Sequence, residues 1–197
     1  RSLADEDEIP LFVNSGPGGI TQDWNFGYAQ TNTPYVTIAH QDDIYLEHYT
    51  ERMLAAMQRA DRPLIYFTDY GELRNGAPVL ENGLLRVKRR LLLPLRKFPR
   101  SRWIRRRVLS MGCPICCPSV SFARENLPKV VFRNHFRSCE DWEAWERLSK
   151  LEGSFLYDAQ VLMYHRIHEG SETSAIIGDG ARSGEEYEIY FVANQVD

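Results

Sequence analysis

The sequence lacks the uninterrupted apolar stretch of about 18 residues that a transmembrane helix needs, so none is expected. It has only four cysteines in 197 residues, too few for a disulfide scaffold, and a reducing cytosol is the expected compartment. Residues 1–8 lack the apolar segment of a signal peptide and do not start with Met, so we expect a processed, cloned or partial chain. With 43% apolar and 26% charged residues, the composition is typical of globular domains and excludes intrinsic disorder.

The net charge of −3 conceals an uneven distribution. Residues 86–107 contain eleven Lys or Arg and no Asp or Glu, which leaves 13 basic against 27 acidic residues elsewhere. Such segregation indicates an anionic partner for the basic stretch.

The basic stretch also carries leucines and Trp103, a mixture typical of helices that lie on anionic membranes. We expect either contact with a membrane surface or a solvated surface excursion; in the first case, replacing the arginines at 105–107 by Glu should weaken vesicle binding. Nucleic acid is disfavoured as a partner because the rest of the chain is acidic. Pro94 and Pro99 predict at least two helical pieces. The expected location is the cytoplasm, at the inner membrane face if the stretch binds lipid.

Strands and helices alternate along the chain, which predicts an α/β sheet that is at least partly parallel. We expect one domain over residues 1–175, with a basic insertion at 86–110, followed by a polar, acidic tail over 176–197. The predicted strands are Ile9–Val13, Tyr35–Ala39, Leu64–Thr68, Ser119–Phe122 and Phe155–Tyr164, and the predicted helices are Gln22–Gln30, Leu46–Ala60 and Asp141–Leu151.

Acidic residues follow two of these strands, at Asp42-Asp43 and at Asp69. Adjacent carboxylates repel unless positive charge lies beside them, and the C-terminal ends of strands are where α/β sheets bind ligands. Asp42 and Asp43 therefore predict either a Mg²⁺ or Mn²⁺ ion shared with substrate phosphates or an acidic N-terminus of the following helix. Glu140 and Asp141 likewise predict either a general base or an acidic first helical turn.

Residues 165–168, His-Arg-Ile-His, follow the last predicted strand. Strand alternation places Arg166 and His168 on one face, where they either meet a pyrophosphate or metal ion or make ordinary surface contacts. The segment Cys113-Pro114-Ile115-Cys116-Cys117 admits a zinc site, a redox role or small buried residues. Burial is the favoured interpretation, because a fourth zinc ligand is not evident nearby.

Taken in order, segments between Asn14 and Ser174 resemble the family 2 glycosyltransferases, inverting enzymes with the GT-A fold. Asn25-Phe26-Gly27-Tyr28-Ala29 resembles the asparagine-containing helix of that family, and His40-Gln41-Asp42-Asp43 occupies the place of its Asp-x-Asp-Asp motif. The later segments that resemble family motifs are 118–125 (acceptor-side strand), 140–145 (Glu-Asp motif) and 164–168 with 171–174 (closing Tyr-Arg-x-His strand).

The resemblance implies an α/β, Rossmann-like GT-A fold with a mixed, mainly parallel sheet flanked by helices. It implies transfer of a sugar, with inversion, from a nucleotide-sugar donor to a hydroxyl of a glycan or lipid-linked acceptor, in surface polysaccharide or glycolipid assembly. The implied roles are metal binding (Mn²⁺ or Mg²⁺) by Asp42 and His168, donor binding by Asn25, His40, Asp43 and Arg166, and deprotonation of the acceptor by Asp141, with Glu140 as the alternative.

The sequence departs from the family in two respects. His40 stands where the family usually has Asp, which removes a negative charge and predicts weaker metal affinity or a different ligand set. The family's opening strand motif is also absent, so we expect a fold that is N-terminally incomplete, by deletion or because that part lies outside this sequence; a deletion would expose a sheet edge. Both departures keep open a catalytically inactive binding or scaffold module.

Overall fold

The computed structural model describes residues 9–133, 135–168 and 181–194. In these residues the helices are α1 (Ile20–Gln30), α2 (Tyr49–Arg59), α3 (Gly83–Lys97), α4 (Arg102–Leu109), α5 (Glu140–Ser149) and α6 (Ala181–Asn194). The strands are β1 (Tyr35–Thr37), β2 (Ile44–Tyr45), β3 (Pro63–Arg74), β4 (Ala77–Val79), β5 (Val120–Ala123) and β6 (Ser154–Ile167). Six of the predicted elements lie within three residues of their predicted bounds; they are the helices at α1, α2 and α5 and the strands at β1, β5 and β6.

The strands form one sheet with the order β1-β5-β3-β6-β2, and β4 pairs with β3. β6 runs parallel to β3 along its whole length, so β5 and β4 share the other edge of β3 near its two ends. The four other pairs among the described strands are antiparallel. The mixed α/β class is confirmed, but a mainly parallel sheet is wrong for these strands. One reason is the tight turn at Asn75-Gly76, where both residues have positive φ, because a turn of that length returns the chain antiparallel.

Helices cover both faces of the sheet. Ile65 and Phe67 of β3 lie in a large core shared with α1, α3, α4 and α5, whereas the intervening Tyr66 packs with α2 on the opposite face. The contribution of α2 to that second core is three buried side chains spaced four residues apart, Tyr49, Met53 and Met57.

The basic stretch forms two helices, α3 and α4, as the prolines predict, but the break lies at residues 98–101. Pro94 lies inside α3 and removes one backbone hydrogen bond from it. Leu92 and Leu95, on either side of Pro94, are both buried in the large core. Their burial holds the helix together across the proline.

Two strand predictions need correction. Ile9–Val13 forms no strand, and its four apolar side chains are each more than half exposed. β3 does not end before Asp69 but continues to Arg74, so Asp69 lies within the strand. The Asp69 carboxylate accepts a hydrogen bond from the Tyr157 hydroxyl and lies 3.1 Å from Nε of Arg89, and these partners allow the strand to continue through a buried acid.

The segment interpreted as a polar tail contains α6. Ile189 of this helix is buried in the core, and Glu185 accepts hydrogen bonds of 2.8 Å from the Ser138 hydroxyl and the Arg137 backbone N–H. Residues 171–174, the end of the last family-like motif, lie outside the described residues. Within the described part of the chain, no helix combines the length and apolar character needed to cross a membrane.

Candidate functional site

The turn at residues 40–43 is held against the C-terminal end of β6. The short strand β2 follows this turn and pairs antiparallel with β6, with Ile44 opposite Tyr164. The Leu46 N–H extends the pairing by donating to the Leu162 carbonyl at 2.9 Å. Pairing of β2 therefore brings two segments together that are more than 120 residues apart in the sequence.

Asp43 is the buried anchor of this site, and its side chain has no exposed surface. Its Oδ1 accepts hydrogen bonds from Nδ1 of His165 at 3.0 Å and from the Arg166 backbone N–H at 2.9 Å. Its Oδ2 has no hydrogen-bond partner among the described residues and lies 3.8 Å from Nδ1 of His40. Oδ1 thus holds the turn against β6, and Oδ2 faces the His40 ring.

Asp42 is the more accessible carboxylate, with a side chain that is 33% exposed. Its Oδ2 accepts a 2.9 Å hydrogen bond from Nε2 of His168, and its backbone carbonyl accepts a 2.8 Å bond from Nε of Arg166. Partial burial opposes ionisation, but the bond from His168 lowers the pKa of Asp42. The Asp42 carboxylate is therefore ionised at neutral pH.

His40 faces this site from the start of the turn. Its ring stacks on Trp24 with centroids 5.2 Å apart, and its Nε2 is buried without a hydrogen-bond partner among the described residues. Burial lowers the pKa of His40, although the Asp43 carboxylate works in the opposite direction. A neutral imidazole with a vacant nitrogen is able to accept or donate one further hydrogen bond.

These contacts correct the alternative in which Asp42 or Asp43 begins the following helix. That helix, α2, starts at Tyr49 after His48, and both carboxylates bind groups on or just after β6 instead. Arg166 and His168 do lie together as predicted, but Arg166 contacts the turn through its side chain and its backbone.

The site offers few ligands for the divalent ion that the resemblance implies. The described residues contain no group of three or more His, Cys, Asp or Glu arranged to hold a metal. Asp42 and His168 supply one carboxylate and one imidazole, both partly exposed. Two ligands do not make a closed structural site, so an ion at this pair would need water and substrate phosphate oxygens to complete its shell. It would also replace the hydrogen bond between Nε2 of His168 and Oδ2 of Asp42.

Glu140 and Asp141 form the first turn of α5, as the alternative reading proposed, after Cys139. Glu140 is buried, with 4% of its surface exposed. Asp141 is half-buried; its Oδ1 accepts from the Trp142 N–H at 2.7 Å, and its Oδ2 lies 3.8 Å from Sγ of Cys113. Asp141 is thus the better exposed of the two proposed bases.

The buried Cys116 thiol is influenced by two of the candidate carboxylates. Burial raises the pKa of this thiol to about 12, and the charges of Asp43 and Asp141 both add to the increase.

Asn25 is placed differently from the other candidates. Its amide Nδ2 donates to the Phe132 carbonyl at 2.7 Å, and its Oδ1 accepts from the Phe132 N–H at 3.2 Å. These two bonds fasten α1 to the loop before α5. The residue of α1 that contacts the turn is Trp24, which the sequence did not suggest.

Three further residues of the site were missed. His165 binds Asp43, Tyr70 packs edge-on against the His165 ring at 6.3 Å, and Nζ of Lys88 donates to the Tyr70 hydroxyl at 3.1 Å. Burial works against the Lys88 charge, but the Tyr70 hydroxyl and nearby thiols raise its pKa. The sequence does contain an indication that Lys88 faces inward. It lies three residues after the buried Leu85 and four before the buried Leu92, so it is next to both on the helix.

All four cysteines are free thiols. Cys116 and Cys139 are buried, and burial raises the pKa of Cys113, Cys116 and Cys117. Among the described residues no zinc-like group exists, so the interpretation as small, largely buried residues fits the structure best.

A scan against models of known protein families finds no match to this chain. A search of curated proteins also finds none.

Proposed function

We propose that this protein is an inverting glycosyltransferase that moves a sugar from a nucleotide-sugar donor to a hydroxyl of a glycan or lipid-linked acceptor. The observation that carries the proposal is the contact between the turn at 40–43 and residues 165–168. It joins an ionised Asp42 to His168, and a buried Asp43 to His165 and Arg166, at one end of the sheet. The mixed α/β fold and the resemblance in motif order support the same proposal.

Each residue of the site has a distinct role in this reaction. Asp42 and His168 would hold Mn²⁺ or Mg²⁺, which when bound offsets charge on the leaving diphosphate. Arg166 and Asp43 keep the turn against β6, and His40 offers its vacant nitrogen to the donor. Asn25 would not contact the donor; it would hold α1 in place through its hydrogen bond to the Phe132 carbonyl.

Asp141 is the proposed general base, with Glu140 as the alternative. The acceptor oxygen attacks the anomeric carbon as its proton passes to the Asp141 carboxylate. The bond from that carbon to the diphosphate oxygen breaks, and the electron pair leaves with the nucleoside diphosphate. One in-line displacement inverts the anomeric configuration and needs no covalent intermediate.

The first test is thermal unfolding with UDP, GDP, CDP or dTDP, each with and without Mn²⁺. A nucleotide at 100 times its Kd should add about 2.7 kcal/mol of stability, an increase in Tm of about 5–10 °C for a chain of this size. The shift should require metal and should disappear in Asp42→Asn but not in Asp61→Asn, which alters an exposed carboxylate elsewhere. Absence of a metal-dependent shift with every nucleotide would overturn the proposal.

A second test separates an enzyme from a binding module, which the His40 departure favours. Asp141→Asn should abolish sugar transfer and leave the nucleotide-induced shift intact, because Asp141 contacts the acceptor only. Transfer by Asp141→Asn at the wild-type rate would exclude Asp141 as the base. Nucleotide binding by a wild-type chain that transfers no sugar would instead identify a scaffold.

A further inference from the structure

The exposed residues of α3, α4 and the residue between them include a set that we call the basic surface. Arg86, Arg90, Leu93 and Lys97 follow one another at spacings of three or four, so they lie along one side of α3, and Val87 lies next to them. Those on α4 are centred on Trp103. The members of the basic surface are Arg86, Val87, Arg90, Leu93, Lys97, Phe98, Arg102, Trp103 and Arg107, all exposed.

Six of the eleven basic residues in 86–107 lie outside this surface. Three of these six bind groups within the fold. Lys88 donates to Tyr70, and Arg89 pairs with Asp69. Arg105 is fully buried and donates 2.7 Å hydrogen bonds to the carbonyls of Gly153 and Leu151. Replacing Arg105 together with Arg106 and Arg107 would therefore also disturb the fold, so it does not test the surface alone.

The outward cations have little to neutralise them. Arg90, Lys97, Arg102 and Arg107 form no ion pair with any acidic side chain in the described ranges, and no acidic residue occurs between Glu81 and Glu125. A positive field of this kind on an otherwise acidic chain attracts a polyanionic partner.

Large apolar side chains lie among these cations. Trp103 is 70% exposed, and Val87, Leu93 and Phe98 are about half exposed. Apolar groups gain nothing from a phosphate backbone, whereas they gain from insertion beside lipid acyl chains, and Trp prefers the headgroup boundary. The mixture therefore favours a bilayer over a nucleic acid.

We propose that the basic surface docks this protein on an anionic lipid bilayer, with the arginines at the headgroups and Trp103 inserted between them. On the inner side of α3, Nζ of Lys88 donates to the Tyr70 hydroxyl, and Tyr70 packs with Cys116. Docking itself does not depend on the proposed transferase activity.

The test is co-sedimentation of the full chain with vesicles of phosphatidylcholine, alone or mixed with phosphatidylglycerol. Binding should require the anionic lipid and should weaken as salt is raised, because exposed charges are screened. Failure to bind anionic vesicles at low salt would overturn the proposal. Binding to duplex DNA or RNA without binding to vesicles would also overturn it.

Two triple variants show whether vesicle binding depends on the basic surface or only on the net charge of the protein. Each arginine near an anionic bilayer contributes about fivefold to partitioning, so Arg90→Gln/Arg102→Gln/Arg107→Gln should lose about a hundredfold. The matched control removes three exposed positive charges elsewhere, at Arg59, Lys129 and Arg137, and should lose much less. Equal losses in the two triple variants would contradict a localised docking surface.

The fluorescence of Trp103 reports whether this side chain inserts into the bilayer when the protein binds vesicles. Trp103 is the exposed tryptophan of the four, since Trp142 and Trp145 are buried and Trp24 stacks on His40. Anionic vesicles should shift the fluorescence to shorter wavelength in the wild type but not in Trp103→Ala, whose partitioning should fall at least about tenfold. An unchanged spectrum in the presence of bound vesicles would contradict insertion.

Discussion

At the scale of single residues, Asp43 shows how one carboxylate determines the shape of the site. It is fully buried, yet it has hydrogen bonds from His165 and from the Arg166 backbone. A buried charge is tolerated only where such donors compensate for lost water, so the position of the turn and that of β6 depend on each other. Oδ2 of Asp43, which has no hydrogen-bond partner among the described residues, lies 3.8 Å from Nδ1 of His40.

The cysteine thiols provide a prediction about pH. Burial raises the pKa of Cys116 from 9.0 to about 12, so the native thiol stays protonated while the unfolded one ionises. Its contribution to stability is complete below about pH 9 and is lost as the pH rises from about 9 to about 12. The unfolding free energy of the wild type should therefore fall between about pH 8 and pH 10 by about 1.4 kcal/mol more than that of Cys116→Ala, which lacks this thiol. Urea unfolding under reducing conditions measures this difference, and parallel pH curves would contradict it.

Residue patterns predicted part of the site. The order of the acidic and histidine segments identified Asp42, Asp43, Arg166 and His168, but strand alternation assigned His165 to the opposite face. Asp43 nevertheless binds both His165 and Arg166, because Arg166 offers its backbone N–H rather than its side chain. Alternation describes side chains alone, so it misses this arrangement.

At the scale of secondary-structure elements, Arg105 fastens α4 to the turn before β6. Its guanidinium bonds two carbonyls of that turn and lies over the Phe155 ring at 4.9 Å. Burial and the nearby Arg102 charge lower the pKa of Arg105 to about 10. The hydrogen bonds and ring contact compensate for burying this charge, and the site at the other end of β6 depends on the strand that they support.

Arg105→Ala should lower the unfolding free energy by about 2–4 kcal/mol, because it leaves two buried carbonyls without donors. Arg102→Ala, three residues away and exposed, should change it by no more than about 0.5 kcal/mol. Equilibrium urea unfolding of both variants makes the comparison. Equal stabilities would show that water replaces the guanidinium in the turn.

Local rules failed where tertiary contacts were strong. Pro94 should end a helix, but the buried Leu92 and Leu95 keep α3 continuous through it. The polarity of Asp69 suggested the end of a strand, but pairing with Arg89 and Tyr157 carries β3 onward. The helix α2 was predictable, since its buried residues repeat at helical spacing and few long-range contacts oppose it.

At the scale of the whole molecule, the sequence indicated helices and strands in a mixed α/β fold but not the order of the strands. Buried runs such as Leu64–Phe67 predict a central strand, since both faces are apolar. The direction of its neighbours depends on pairing between segments far apart in the chain, which periodicity does not encode. The exposed Ile9–Val13 illustrates the same limit, because an apolar run becomes a strand only where it finds a partner.

The central position of β3 has a consequence for amide exchange. β3 is paired on both edges, and residues 64–67 are almost completely buried. Their N–H groups should exchange with deuterium only when the whole molecule unfolds, more slowly than those of α6. A ligand that binds the native state then slows them by the factor 1 + [L]/Kd, about a hundredfold at 100 times Kd. Mass spectrometry of peptides from β3 thus provides a gauge of binding for nucleotides, metal ions or vesicles alike, without any assumption about the reaction.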